Sequence, residues 1–385
     1  MASKPQFVEE RVQLGEIVQA SSKRNRDRLC NAVFSVTNSR GFVPSDEYFS
    51  KEVFSKDLKN YRIVERGMVA YNPSRINVGS VALQDKEDQV AVSPLYVVFS
   101  VDAERALPAY IVCFLKSRPG LDQIAFQSIG TVRNNLKFDA LCRMEISLPS
   151  LIEQQKRVGI LSAIKEQIDV RYEALDMLQS LVKSRFVEMF IGIPWPEKTV
   201  GDLATDIRYG TSKKASDIGA YTYLRMNNLT DSGELNFEDV KFIDLEGKEL
   251  EKCQVVKGDI LFNRTNSREK VGKTAVFLEE DPMVIAGYII RVRLGGEMHS
   301  EFFSAFMNLP ATKSMLRSIA KGAVHQANIN SQELAAIRVP VPPMKLQETF
   351  VDFMHQVDKP RFVAQQQIEK LQMLYDSLAQ EYFGD

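Results

Sequence analysis

The sequence predicts an α+β chain with a pseudo-two-fold internal repeat: two similar mixed α/β domains separated by two long antiparallel coiled-coil helices. Three observations predict it. One phrase recurs at a long fixed interval, an apolar stripe with three-and-four spacing follows each copy, and the rest is short apolar runs cut by Gly and Pro.

The repeat governs every later assignment. Segment 135–149 (NLKFDALCRMEISLP) matches 328–342 (NINSQELAAIRVPVP), with Asn135 on Asn328, Leu141 on Leu334 and Pro149 on Pro342 at an offset of 193. Gly130 and Gly322 precede the two segments, one residue out of step. The same offset carries Gln154 onto Gln347, Leu178 onto Leu371, Phe190 onto Phe383 and Gly79 onto Gly272. Upstream, Leu14-Gly15-Glu16-Ile17 resembles Val200-Gly201-Asp202-Leu203, and Ile63-Val64-Glu65-Arg66-Gly67 resembles Val255-Val256-Lys257-Gly258-Asp259. The plan is domain, helix, domain, helix, over 1–149, 150–192, 193–342 and 343–385.

Within the domains, 91–101 and 284–294 read as strands and 108–117 and 299–307 as short helices. Ser150 followed by Glu153 is a capping box that opens the first long helix. Its stripe runs Ile164, Ile168, Leu175, Leu178, Val182 and Met189, with Arg171 and Arg185 where a heptad would be apolar. The second helix begins after Pro342-Pro343 without a Ser or Thr cap, and its stripe runs Met354, Val357, Ala364, Ile368, Leu371, Tyr375, Leu378 and Tyr382. Pro360 removes a donor and crowds the preceding turn, which predicts a kink or break near Lys359. A direct repeat in which each helix returns the chain to the next domain favours antiparallel packing. A single stripe would read as an ordinary core helix; two at matching places, with no further globular region to cover them, need each other or another protein.

The 49 basic and 50 acidic residues give a net charge of -1, so binding to nucleic acid must rest on local patches. Cys30, Cys113, Cys142 and Cys253 are far apart and read as reduced, mostly buried thiols. Apolar runs fall short of the roughly 18 residues of a membrane span, and the N-terminus carries charge where a signal peptide is apolar, so a cytoplasmic protein is expected.

Enzyme motifs fail on their spacing. Val271-Gly272-Lys273-Thr274 resembles the tail of a phosphate-binding loop, but Ser267 stands where that loop needs glycine. Glu246-Gly247-Lys248 and Asp57-Leu58-Lys59 have the acid-x-lysine end of a nuclease motif with no placed partner acid. His299, His325 and His355 are scattered, with no HExxH and no serine elbow, and no glycine-rich loop suits S-adenosylmethionine. A chain without its own catalytic site is expected.

Reading DNA sequence needs paired donors and acceptors for base edges and cations for phosphates. Lys23, Arg24 and Arg26, in a run that continues to Arg28, supply them early in the first domain; Arg208, Tyr209, Thr211, Lys213 and Lys214 do so at the corresponding place in the second. Asn72, Ser74, Arg75 and Asn77 form a second group, matched by Asn263, Arg264, Asn266, Ser267 and Arg268. Arg225, Asn227 and Asn228 form a third. Solvated loops and Asn-rich turns are the competing readings.

These phrases also carry a resemblance. Tyr223-Leu224-Arg225-Met226-Asn227-Asn228-Leu229, then Val256-Lys257-Gly258-Asp259-Ile260-Leu261 and Asn263-Arg264-Thr265-Asn266-Ser267 with Val271-Gly272-Lys273, resemble the target-recognition domain of type I restriction-modification specificity subunits. Tyr71-Asn72-Pro73-Ser74, Val78-Gly79-Ser80 and Ser93-Pro94-Leu95-Tyr96 resemble another version of it, and Leu148-Pro149 with Glu153-Gln154-Gln155 the family's junction to its conserved helix. The resemblance covers nearly the whole chain. It implies a non-catalytic subunit that reads bipartite double-stranded DNA, one half-site per domain, with a spacer measured by the helices. It also implies two methyltransferase subunits docked on the helices, motor-nuclease subunits joining for cleavage, and S-adenosylmethionine, ATP and Mg held by those partners and none by this chain. A protein-interaction scaffold with two globular ends on a helical spacer is the alternative.

Overall fold

The two apolar stripes fold as helices of equal length, Leu151–Phe190 and Met344–Phe383, with both ends related by the offset of 193. The computed structural model describes residues 9–27, 30–48, 57–128, 135–323 and 326–384; Arg28, Gly130 and His325 lie outside them. The chain divides into two compact units, Met1–Tyr172 with Gln366–Asp385, and Glu173–Gln365. Each unit therefore takes part of both long helices.

In the first unit the start of one helix meets the end of the other. Arg157 lies 4.8 Å over the Tyr382 ring, and Arg171 Nε donates to Gln367 Oε1 at 2.9 Å, an antiparallel order. The second unit repeats that order, with Phe190 5.7 Å from Phe350 and Arg185 5.8 Å from Phe353. The two arginines that interrupt the stripe thus reach the partner helix, burying apolar stems while keeping their charge outside. Phe383 packs 5.0 Å from Tyr110 and 5.8 Å from Phe114 in the core of the first unit. Its repeat equivalent Phe190 joins Phe186, Phe302 and Phe350 in that of the second.

The break expected near Lys359 does not form: the second helix runs through Pro360 uninterrupted. A proline costs one hydrogen bond and some strain, and a long helix packed on both sides of the site retains its remaining bonds. Arg361 also fastens that turn, pairing with Asp358 at 3.0 Å and with Glu234. The cap at Ser150 is half of the expected box. Its hydroxyl accepts from the Glu153 amide at 3.4 Å, while the Glu153 carboxylate faces Lys156 and Arg157, both at 3.5 Å.

Both units contain the same four-stranded antiparallel sheet. In the first, Val18–Ala20 pairs with Val97–Val101, which pairs with Val69–Tyr71, which pairs with Val81–Leu83. In the second, Ala204–Tyr209, Ile289–Leu294, Ile260–Asn263 and Thr274–Val276 follow one another in the same way. Apolar side chains make these central strands, and Val69, Tyr71, Phe99, Phe262, Ile290 and Val292 are all fully buried. The segments read as single strands are each two: Gln89–Val92 and Val97–Val101 flank a turn at 93–96, and Met283–Ile285 and Ile289–Leu294 flank one at 286–288. Each half of the broken run serves a different sheet.

Strand register corrects one upstream match. Tyr71 faces Val81 as Phe262 faces Thr274, and Gly67 donates to Gln84 as Gly258 donates to Phe277. Gly67 therefore corresponds to Gly258, not to Asp259. The cause is the length between paired residues: 72–80 lie between Tyr71 and its partner Val81, and the longer 263–273 between Phe262 and its partner Thr274. Both loops close on a left-handed glycine, Gly79 and Gly272, each at φ 83°. A side chain there would meet Asn38 at 2.2 Å or Leu316 at 2.7 Å.

Candidate nucleic-acid interface

Sheet topology brings the candidate loops together. Val18–Ala20 and Val69–Tyr71 are each antiparallel to the strand between them, so both point the same way. Loops 21–27 and 72–80 therefore leave the same end of the sheet, with roots about 10 Å apart across one intervening strand. In the second unit Ala204–Tyr209 and Ile260–Asn263 have the same relation, so 210–220 and 264–273 also share one end.

In the first unit the two loops bond different neighbours. Lys23 pairs with Glu65, and the Lys23 carbonyl accepts from the Ile63 amide at 3.0 Å. Asn25, between the candidates, is buried and staples the loop by donating to the Cys30 carbonyl at 2.6 Å. On the other loop Asn72 Oδ1 accepts from the Ser74 amide at 3.1 Å, and Ser74 Oγ donates to Asn135 Oδ1 at 2.6 Å. Arg24, Arg26, Arg75 and Asn77 are exposed, and among the described residues no ion pair engages the three cations.

In the second unit the loops touch. The Arg264 guanidinium lies 4.8 Å over the Tyr209 ring and donates to Asn328 Oδ1 at 3.2 Å, while Tyr209 Oη donates to Ser331 Oγ at 2.9 Å. Thr211 Oγ1 donates to Glu249 at 2.8 Å, and Lys213 pairs with the same carboxylate at 2.6 Å. Hydrogen bonds from Lys213 and then Thr211 hold that carboxyl below its ordinary range. Around these groups lies an open cavity of 430 Å³, lined among others by Ser212, Lys252 and Gly287. Arg208 pairs with Asp206 at 2.7 Å; burial would raise the Asp206 carboxyl, but bonds from Arg208 and Arg291 hold it low.

Several candidates spend their polar atoms inside the protein. Asn263 is fully buried, with Oδ1 accepting from Asn266 at 3.2 Å. Asn228 is buried and donates to the Asn236 and Asp239 carbonyls at 2.9 and 3.0 Å; Arg225 bonds that Asp239 carbonyl at 2.8 Å and its carboxylate at 2.9 Å. Asn266 Oδ1 accepts from the Ser267 amide at 2.9 Å, and Arg268 grips the carbonyls of Arg317 and Gly322. Asn227 and Lys214 are exposed.

Sequence reasoning missed Glu249, Ser331 and the part played by Asn328. The repeat carried a signal for the last. Asn135 holds Ser74 and Asn328 holds Arg264, and Leu136 and Ile329 donate to the carbonyls of Pro73 and Arg264. A repeated asparagine therefore braces the same loop twice. Two residues of the enzyme-like readings have partners within the fold: Lys273 donates to the Leu229 carbonyl and pairs with Asp231 at 2.9 Å, and His299 Nδ1 caps the helix Ser300–Met307. Cys30 and Cys253 are buried, and all four thiols are free. No helix among the described residues is long and apolar enough to cross a membrane.

Fold and loops together define a duplicated α+β protein whose two units each present polar, cation-bearing loops at one end of an equivalent sheet. The chain belongs to the type I restriction modification DNA specificity domain family, whose pattern matches it twice, at residues 10–177 and 193–373. It is 25% identical over 264 residues to the type I restriction enzyme EcoKI specificity subunit of Escherichia coli (strain K12), covering 63% of this chain and 56% of that protein. Over 294 residues it is 25% identical to the StySPI specificity subunit of Salmonella potsdam, covering 71% and 63%. The chain thus spans between half and two thirds of the length of these relatives. The crystal structure of a type I restriction-modification S subunit from M. genitalium shares the fold at a TM-score of 0.56 and 13% identity, covering 100% of this chain and 98% of that one. A chain from a study of complex assembly and conformational transition in a type I R-M system gives a TM-score of 0.54 at 17% identity, covering 99% of both.

Proposed function

We propose that this chain reads a two-part double-stranded DNA sequence, one half-site per unit, and performs no chemistry itself. The observation that carries the reading is the duplication of one sheet whose two polar loops leave the same end. A bipartite site asks for two readers of one design. The recognition domains are residues 1–149 and 193–342, and the helices 150–192 and 343–385 dock two methyltransferase subunits and the motor-nuclease subunits. Support for docking comes from outward apolar residues on those helices: Ile152, Met177, Phe362 and Met373 are 84%, 66%, 64% and 72% exposed.

The contact set is drawn from the exposed candidates: Arg24, Arg26, Ser74, Arg75 and Asn77 in the first unit, and Arg208, Lys213, Lys214 and Asn227 in the second. Cations among them meet phosphates, and Asn and Ser meet base edges. S-adenosylmethionine, ATP and Mg belong to the partner subunits, and the assembly works in the cytoplasm.

The test is co-expression with a type I methyltransferase subunit, followed by mapping of methylated adenines. A motif of two short elements separated by a fixed gap is expected. Co-purification without any motif, and a DNA complex insensitive to salt, would leave the scaffold reading in its place.

A further inference from the structure

Two short strands of the second unit, Lys321–Ala323 and Gln326–Asn328, form an antiparallel ribbon with Lys321 opposite Asn328 and Ala323 opposite Gln326. Its inner strand is extended by Thr265–Asn266, which pairs with Asn328 and Ala327. The ribbon is held at its base, at Asn328 and Ala327. Ala327 is fully buried in the core, whereas Lys321, Gly322, Ala323 and Gln326 are exposed. Alternation along the strand follows from the pleat: with Ala327 inward, Gln326 points outward.

Side chains make the mounting rigid. Arg268 donates through Nη1 to the Arg317 carbonyl at 3.1 Å and through Nη2 to the Gly322 carbonyl at 2.9 Å. Asn328 Nδ2 donates to Thr265 Oγ1 at 2.9 Å, and Lys321 pairs with Glu333 at 2.6 Å. Gly322 has φ 113°, and a Cβ there would lie 2.4 Å from the Gln326 carbonyl, so this position keeps the ribbon free of bulk beside Gln326. Exposed Lys270, two residues after the anchoring arginine, and exposed Arg317, whose carbonyl that arginine bonds, supply positive charge.

We propose that this ribbon enters the major groove of the bound half-site and that Gln326 reads an adenine there. The groove admits a two-stranded ribbon, and a glutamine amide matches adenine with one donor and one acceptor. Small neighbours at Gly322 and Ala323 allow close approach to the base edge. The inference rests on the DNA-reading proposal and names the reader within it.

The experiment selects duplexes from a random library with the full chain in complex with its methyltransferase partner, comparing wild type with Gln326→Ala and Gln326→Glu. Gln326→Ala is expected to lower the preference for adenine at one position of one half-site by roughly 5- to 150-fold, leaving the other half-site intact. Gln326→Glu should move that preference toward cytosine, whose amino group a carboxylate accepts. Unchanged preferences in both variants, or equal weakening across both half-sites, would overturn the assignment of Gln326 while the DNA-reading proposal stands. If the wild-type complex selects no motif, the DNA-reading proposal falls and this one with it.

Discussion

Gln154 and Gln347 make the same three hydrogen bonds, each within its own unit. Gln154 Oε1 accepts from the Leu107 amide at 2.9 Å, and its Nε2 donates to the carbonyls of Arg105 at 3.0 Å and Pro149 at 2.9 Å. Gln347 Oε1 accepts from the His299 amide at 2.9 Å, and its Nε2 donates to the carbonyls of Glu297 at 3.1 Å and Pro342 at 2.8 Å. Both side chains are fully buried. Each ties the first turn of a long helix to the loop before a short one and to the proline that precedes it.

Removing either glutamine strands backbone groups. Gln154→Ala and Gln347→Ala should each cost about 2–4 kcal/mol: roughly 1–3 kcal/mol for the buried proline carbonyl left unpaired, and less for the two half-buried groups that water reaches. Urea unfolding monitored by circular dichroism checks this, and a destabilisation below about 0.5 kcal/mol in either variant would mean that the glutamines do not act as staples.

The ring cluster of the second unit predicts a larger effect. Phe186 lies within 6.3 Å of Phe190, Phe302, Phe306 and Phe350. Phe186→Ala should destabilise by about 3–5 kcal/mol, the range for truncating a buried aromatic ring. Urea unfolding again tests it, and a change of only about 1 kcal/mol would mean that the cluster collapses to fill the space.

Lys313 gives a pH signature. Burial pushes its ammonium down from 10.5 to about 8, while it donates to the Gly272 carbonyl at 2.8 Å. Between those values the unfolded chain holds a proton that the folded one has shed, so stability rises with pH across the window. Below it both states are protonated and the gain is absent. The stability difference between wild type and Lys313→Met should therefore shift in favour of wild type from about pH 7.5 to about pH 10, and a flat difference would contradict the burial argument.

Arg24→Ala with Arg26→Ala should weaken binding uniformly across sequences. If both cations meet phosphates, the slope of log K against log salt becomes shallower by about 2, near 0.9 for each phosphate no longer neutralised. Fluorescence anisotropy over a salt series reads it; an unchanged slope would place both side chains away from the DNA backbone.

The long helices were legible because their burial repeats every three or four residues and their ends share one offset. Their junctions were legible too, since Gln154 and Gln347 fall on that same offset. Strand register was less so. Two extra residues before Thr274 shift the upstream match, although Arg66-Gly67 against Lys257-Gly258 was already the better local match. Polar loops were legible as loops but not as surfaces: Asn72 and Asn263 start equivalent turns, yet the first is partly exposed and the second fully buried. Burial of a polar side chain is decided by the strands packed over it, which periodicity does not report. The break at Pro360 did not form for a related reason, because the packing of a whole helix outweighs the preference of one residue.

The division of the chain has a consequence for the order of assembly. Glu173–Gln365 is one continuous stretch, whereas the other unit is completed by Gln366–Asp385. The core of that unit includes Ala379 and Phe383. One unit is nested inside the sequence of the other, so on a ribosome the region made second can close first, and the region made first waits for its last helical turns. Until then Tyr110 and Phe114 lack the ring that covers them, and a chain stalled a few turns early would carry a finished second unit beside an open first one.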